Sequence, residues 1–182
     1  MNNVPSFIGE TGIPFDMKGG RAYIDGDFSA QEKALDAVIR ALEDNMVGFT
    51  LWNYTADNSN AYGDLWNDED LSIFSRDRQI DPDDINSGGR ALEAVVRPYA
   101  GKIAGEPLKM SFDLRRRRFD FTFRDDPAVA APTEIFVPNF QYPHGIRVSV
   151  SDGTFGHDQD RQILTYRHTG QTQVHHLRIE PK

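Results

Sequence analysis

The chain has 182 residues, a formal net charge of -8 at pH 7 and 38% hydrophobic residues, a composition typical of an acidic globular protein with one domain or two small ones. It contains no cysteine, which excludes disulfides, thiolate metal sites and cysteine nucleophiles. No apolar run reaches the length of a membrane span, and the first residues, MNNVPSF, lack the features of a signal peptide. We therefore expect an intracellular location, in the cytoplasm or a vacuole.

The first predicted strand ends on a carboxylate. The apolar segment FIG, residues 7 to 9, leads directly to Glu10, and the pair Thr11-Gly12 then breaks the strand. A polar, glycine-rich loop is predicted for residues 16 to 28.

A capped helix and a second strand follow. Ser29 and Glu32 have the spacing of a capping box, in which each side chain bonds the other's backbone amide. The segment MVGFTLW then forms another apolar run, which ends in Trp52. Strand, helix and strand in this order predict a βαβ unit with parallel strands. The helix ends near Asn45, and its apolar residues lie on one face at helical spacing: Ala34, Leu35, Val38, Ile39 and Leu42.

A long connection, residues 53 to 88, separates this unit from the next predicted helix. Its aromatic residues at positions 54, 62 and 66 argue against disorder, so a functional loop is favoured. The segment GRALEAVVRPYAGKIAG, residues 89 to 105, predicts a helix that Pro98 ends or kinks.

Short alternating segments after Glu106 predict an antiparallel β-sandwich. We place the domain boundary near residue 105, giving domains 1–104 and 105–182. The basic run Arg115–Arg118 is predicted on a strand, where it divides between two faces, so nucleic-acid binding is not favoured. His175 and His176 are adjacent and would point to opposite faces of a strand, so they are interpreted as structural and no metal site is predicted.

The residues alone leave the role of Glu10 open. Glu10 and Trp52 end neighbouring parallel strands and could face one site, or Glu10 could cap a turn while Trp52 merely packs. In the long loop, hydrogen bonds to sugar hydroxyls are favoured over cation binding, with Tyr54 and Asn58 as the candidate contacts.

The segments FIGETGIPFDM and GFTLWNYTADNSNAYGDLWNDEDLSIFSRD resemble the carboxyl-terminal portion of glycoside hydrolase family 5, in its fungal endoglycoceramidase-related branch. That resemblance implies the last two β/α units of a (β/α)8 TIM barrel followed by the sandwich. It also implies a retaining β-glucosidase acting on glucosylceramide or steryl glucosides without a cofactor. Glu10 matches the family's nucleophile at the end of the seventh strand, and Trp52 matches the sugar-subsite tryptophan ending the eighth.

The family's acid/base glutamate follows an asparagine on an earlier strand, and this sequence contains no Asn-Glu pair. The resemblance therefore implies that the preceding part of the barrel is needed for a complete site and that this chain alone is not active. We expect residues 4 to 10 and 47 to 52 to be exposed and the fragment 1–104 to be poorly stable. The alternatives are a sandwich module that binds glycolipid or a membrane surface, and an inactive product of a truncated gene.

Overall fold

The computed structural model describes residues 5–182, and the chain divides into two compact units. The first comprises the chain up to Leu42 together with Val47–Val95, and the second comprises Glu43–Met46 together with Val96–Lys182. Within residues 5–182, no helix is both long enough and apolar enough to cross a bilayer. The helices are α1 (Met17–Asp25), α2 (Ser29–Asp44), a short 3-10 helix (Arg76–Arg78) and α3 (Leu92–Val95).

All strands of the first unit belong to one small sheet. β1 (Phe7–Thr11) and β2 (Gly48–Leu51) pair in parallel, which confirms the parallel pairing predicted from the strand–helix–strand order. The barrel to which the resemblance assigns these strands stays a prediction. Residues 5–10 are exposed, as expected, and residue 4 lies outside the described part of the chain.

The helices of the first unit correct two predictions. Residues 16 to 28 were predicted as a loop, but α1 occupies most of them. The start of α1 is kinked at three consecutive residues with positive φ. Two of the three are glycines, which adopt this conformation without steric cost. The predicted capping box of α2 does not form. The Glu32 amide donates to the carbonyl of Phe28, while the Ser29 amide donates to the carboxylate of Asp27. Asp27 therefore supplies the capping oxygen, because its short side chain accepts a hydrogen bond from the amide two residues further along the chain, in the first turn of α2.

The apolar face of α2 packs into the core of the first unit. Leu35 and Ile39 are almost fully buried, and Leu42 is buried at the end of the same stripe. Phe15 and Phe28 meet with ring centroids 6.3 Å apart, and the Gln31 amide donates to the Phe15 carbonyl at 2.8 Å. The buried face of α2 and its end at Asp44 agree with the predicted apolar stripe and with the predicted helix end near Asn45.

The helix predicted within residues 89 to 105 is much shorter than expected and ends before Pro98. Only α3, Leu92–Val95, is helical, and Tyr99–Lys102 forms β3. Pro98 blocks a continuous helix, and pairing of β3 with a later strand stabilises the extended conformation beyond it. The predicted domain boundary at 105 thus falls inside the second unit.

The second unit is a β-sandwich of two four-stranded antiparallel sheets. Its strands after β3 are β4 (Gly105–Asp113), β5 (Arg118–Asp125), β6 (Thr133–Phe136), β7 (Ile146–Val150), β8 (Thr154–Asp158), β9 (Ile163–Arg167) and β10 (Val174–Pro181). One sheet has the order β4-β5-β10-β7 and the other has the order β3-β6-β9-β8. Alternating residues of β5 point inward, so that Phe119, Phe121 and Phe123 are almost completely buried. They share one core with Leu164 and Tyr166 from the opposite sheet.

The arginine run lies mainly in a turn, not on a strand. Residues 114–117 connect β4 to β5, and only Arg118 belongs to a strand. The Arg116 amide and guanidinium both bind the carboxylate of Asp113, at 3.0 and 3.2 Å. Apolar residues alternate with polar ones on both sides of the run, so the whole segment looks like one strand in the sequence, whereas it is a hairpin.

Candidate active site

Glu10 lies near the carboxyl end of β1, next to the point where the parallel register shifts. Phe7 pairs with Gly48 and Thr11 with Leu51, with an irregularity in the register between Ile8 and Thr11. The Glu10 side chain is exposed, and among the described residues it forms no hydrogen bond or ion pair. A carboxylate presented in this way is available to a ligand.

Trp52 follows β2 directly and lies against the end of β1. Its amide donates to the Thr11 carbonyl at 2.7 Å, and the peptide bond between Trp52 and Asn53 is cis. A Cβ placed on Gly12 would lie 1.8 Å from the Trp52 carbonyl oxygen. Glycine is therefore required where the two strand ends approach most closely. The backbones that carry Glu10 and Trp52 are held side by side.

The chain immediately after Trp52 is anchored by the long loop. Both backbone groups of Asn53 pair with it: the amide donates to the Leu71 carbonyl at 3.1 Å, and the carbonyl accepts from the Ile73 amide at 2.9 Å. The Asn53 side chain adds a hydrogen bond to Asp64 at 3.1 Å. The loop thus fixes the exit from β2, although it contains little regular secondary structure.

Asn58 joins two acidic residues of this loop. It has no exposed surface, and its Nδ2 donates to Asp64 at 2.9 Å and to Asp70 at 2.8 Å. Its Oδ1 has no hydrogen-bond partner among the described residues. Asn58 therefore organises the loop, and its predicted contact with sugar stays a prediction.

Asp70 is also the partner of a buried arginine. Arg90 donates to both carboxylate oxygens of Asp70, at 2.8 and 2.5 Å, and its guanidinium lies 4.3 Å from the centroid of the Phe15 ring. Burial alone would raise the pKa of Asp70, but hydrogen bonds from Arg90, Tyr23 and Asn58 outweigh it and hold that pKa below its ordinary value. Burial and the neighbouring Asp70 raise the pKa of the Tyr23 phenol. Asp70 is thus an ionised anchor for the loop.

Trp52 and Tyr54, the other two candidate sugar contacts, are exposed, whereas Asn58 is buried. Tyr54 is 65% exposed and Trp52 38% exposed, so both offer ring surface to a ligand. The Tyr54 ring contacts Phe74, with ring centroids 5.4 Å apart, and this contact restricts the position of the Tyr54 ring. The structure places Glu10 and Trp52 on adjacent strand ends, with Tyr54 two residues beyond Trp52.

Sequence reasoning missed Arg90, which organises this region through Asp70 and the Ser72 carbonyl. Twenty residues separate Arg90 from Asp70, and no local spacing rule connects positions so far apart. The only available signal was an excess of carboxylates in the loop, which requires a buried cation somewhere if the loop is compact.

Comparison with known proteins finds that this chain is similar to the carboxyl-terminal portion of several glycosidases. Residues 97–179 match the glycoside hydrolase family 5 C-terminal domain. A glucosylceramidase of Rhizopus delemar is 38% identical over 92% of this chain and 27% of its own length. An ergosteryl-beta-glucosidase of Saccharomyces cerevisiae is 31% identical over 91% of this chain and 29% of its own length. Residues 97–179 therefore carry the C-terminal domain of glycoside hydrolase family 5.

A solved structure, that of sterylglucosidase 1 of Cryptococcus neoformans, matches the whole chain. The TM-score is 0.91 at 30% identity, and the match covers 100% of this chain and 29% of that one. The chain spans less than a third of the length of these relatives, and the match is to their carboxyl-terminal portion. The match includes the unit that carries Glu10 and Trp52 as well as the sandwich.

Proposed function

We propose that this chain forms the carboxyl-terminal part of a retaining β-glucosidase that hydrolyses glycolipids, with Glu10 as its nucleophile. The observation that carries the proposal is the exposed carboxylate of Glu10, which has no hydrogen-bond or ion-pair partner within residues 5–182. It lies on β1, beside β2, the strand that Trp52 follows. Relatives named glucosylceramidase and ergosteryl-beta-glucosidase support a glucoside with a lipid aglycone, glucosylceramide or a steryl glucoside, as the substrate class.

The chemistry assigned to Glu10 is nucleophilic substitution at the anomeric carbon. A carboxylate oxygen of Glu10 forms a bond to that carbon while the bond to the aglycone oxygen breaks, leaving a covalent glycosyl-enzyme. A second carboxylic acid, about 5–5.5 Å from Glu10, protonates the departing oxygen and later deprotonates the water that releases glucose. We assign that acid to a part of the enzyme outside these 182 residues, since no Asn-Glu pair occurs here.

Trp52 and Tyr54 supply the surfaces for binding the sugar. The apolar face of a glucose ring stacks on an aromatic ring, and an indole N–H or phenol O–H can also bond a hydroxyl. Asn58 acts behind them by holding Asp64 and Asp70, which fix the loop that follows Trp52.

We further propose that β1 and β2 are the last two strands of a (β/α)8 barrel. Parallel strands of such a barrel are covered on both faces, whereas here Phe7 is 64% and Ile8 42% exposed on β1. Exposed apolar residues on a short two-stranded sheet are unfavourable unless further strands and helices cover them. The preceding strands of the barrel would provide that cover.

The test uses a chimera in which this chain replaces the corresponding segment of the Rhizopus delemar glucosylceramidase. The chimera should hydrolyse glucosylceramide, and Glu10→Gln should reduce kcat by about 10³-fold or more, because no nucleophile remains. Trp52→Ala should raise KM more than it lowers kcat.

Glu106→Gln is the matched control, because Glu106 is an exposed carboxylate on β4 and its loss should leave turnover unchanged. An active chimera that keeps its kcat after Glu10→Gln would refute the assignment. Circular dichroism of each variant separates loss of chemistry from loss of folding.

A further inference from the structure

Three potential metal ligands converge at one end of the sandwich. His175 lies on β10, Asp125 ends β5, and His168 follows β9. One ligand atom from each lies within 4.8 Å of the others, and His175 Nε2 is 3.8 Å from the Asp125 carboxylate. β5 and β10 belong to one sheet and β9 to the other, so the cluster connects the two layers.

A buried carboxylate fixes the orientation of His175. The Nδ1 atom of His175 lies 2.7 Å from Asp152, which also accepts hydrogen bonds from the Tyr166 hydroxyl and the Thr169 amide, both at 2.8 Å. At this distance Asp152 accepts a hydrogen bond from the Nδ1–H of His175, which favours the tautomer of His175 that carries its proton on Nδ1.

That tautomer leaves the Nε2 lone pair of His175 directed toward the cluster. His175 has no exposed surface, and neither its Nε2 nor the buried Nδ1 of His168 has a hydrogen-bond partner among the described residues. Buried ring nitrogens without partners are uncommon because their desolvation is uncompensated. A carboxylate that holds one nitrogen of a histidine while the other binds a metal is a recurrent arrangement in metalloproteins.

We propose that His175 Nε2, a ring nitrogen of His168 and the carboxylate of Asp125 bind a divalent transition-metal ion, with Zn²⁺ as the best match. Two imidazoles and one carboxylate are ligands that Zn²⁺ accepts, and solvent supplies the fourth position of a tetrahedral site. Ligand atoms on a tetrahedral Zn²⁺ lie about 3.4 Å apart. The cluster therefore contracts modestly on binding, mainly through the half-buried Asp125 and His168.

The bound ion has a structural role in this proposal, since it ties β5 and β10 to the segment after β9. A cavity of about 420 Å³ lies on the Asp125 side of the cluster and is lined by Glu106 and Arg124 among others, but by neither histidine. The competing interpretation is packing alone, because the His168 and His175 rings lie 4.4 Å apart and both contact Phe123.

The experiment is calorimetric titration of the full chain with ZnCl₂, after removal of metal by a chelator and of any affinity tag. The wild type should bind one ion per chain with micromolar or tighter affinity. At free Zn²⁺ a hundredfold above Kd, the Tm of the sandwich should rise by about 10 °C. His168→Ala and Asp125→Asn should lose this binding and this shift, and Asp152→Asn should weaken binding about 10- to 100-fold.

His176→Ala is the matched control. His176 neighbours His175 but is exposed, with its Nδ1 3.0 Å from the Thr122 hydroxyl, so its loss should leave Zn²⁺ binding unchanged. Co²⁺ added to the wild type should give the visible absorption of a low-symmetry nitrogen and oxygen site, a readout that needs no variant to fold. Absence of saturable binding by the wild type, or equal binding by His168→Ala and Asp125→Asn, would overturn the proposal in favour of packing alone.

Discussion

The Trp52 amide donates a hydrogen bond of 2.7 Å to the carbonyl of Thr11. This bond is part of the last paired position of β1 and β2, in which Thr11 lies opposite Leu51. It therefore links the segment that carries Glu10 to the segment that carries Trp52. The relative position of the two side chains is set by backbone contacts that mutation can test.

The first prediction concerns Gly12, which lies against the Trp52 carbonyl. Gly12→Ala introduces a Cβ at 1.8 Å from that oxygen, so the strand ends must separate, and we expect the first unit to lose about 1–3 kcal/mol. Both tryptophans of the chain, at positions 52 and 66, belong to this unit. Denaturant unfolding followed by tryptophan fluorescence therefore reports on it selectively.

Gly9→Ala provides the control on the same strand. A Cβ at Gly9 would meet nothing within 4 Å, so its effect on the free energy of unfolding should stay within about 0.5 kcal/mol. Equal effects of the two substitutions would show that the close approach at Gly12 does not exist.

The second prediction concerns the buried pair of Asp70 and Arg90. Asp70→Asn keeps the shape of the side chain but leaves the enclosed guanidinium without its anion, and the first unit should lose about 3 kcal/mol or more. Asp57→Asn removes the partner of Arg76 in an ion pair whose two side chains are 60% and 63% exposed, and should have no measurable effect. The measurement is the free energy of unfolding of both variants, followed by tryptophan fluorescence. If Asp70→Asn is as stable as Asp57→Asn, Asp70 has no structural role.

The third prediction follows from the lowered pKa of Asp70. A carboxyl whose pKa is lower in the folded state than in the unfolded state contributes stability above its unfolded value of about 3.9. That contribution is lost as the pH falls from there toward the folded pKa. The wild-type first unit should therefore lose stability more steeply than Asp70→Asn below about pH 4. Parallel stability curves for the two proteins would contradict this assignment.

The sequence predicted correctly the elements whose conformation depends on residues close together in the chain, such as α2. The stripe on α2 specifies both its length and its buried face, since Leu35 and Ile39 fall on one side of any helix formed there. Glu10 and Trp52 were placed at the ends of parallel strands because the order strand, helix, strand constrains the topology.

Contacts between distant residues account for what sequence reasoning could not predict. β3 is extended because Tyr99 pairs with Phe136, a partner that no pattern in residues 89–105 reveals. The interpretation of His175 as structural considered only its neighbour His176, whereas Asp125, at the end of β5, and His168, just after β9, lie beside it in the structure. Asn58 stays a predicted sugar contact; its amide nitrogen donates to Asp64 and Asp70, two contacts that residue type alone does not reveal.

The fourth prediction concerns the independence of the two units. The fragment 96–182 contains both sheets and their shared core and should unfold cooperatively as a monomer. The fragment 1–104 leaves both strands of its small sheet largely exposed and should be poorly stable or aggregated. Calorimetry and sedimentation of the two fragments test this, and a cooperative, high-temperature melt of monomeric 1–104 would contradict it.

The most direct test of the central claim is to trap the covalent intermediate. The chimera with the Rhizopus delemar glucosylceramidase is incubated with a fluorinated glucoside whose glycosyl-enzyme breaks down slowly, and its peptides are then examined by mass spectrometry. We predict one glucosyl adduct, on the peptide that contains Glu10, and its absence from Glu10→Gln. An adduct on another carboxylate of this chain, or inactivation of the chimera with Glu10 unmodified, would contradict the assignment of Glu10 as the nucleophile.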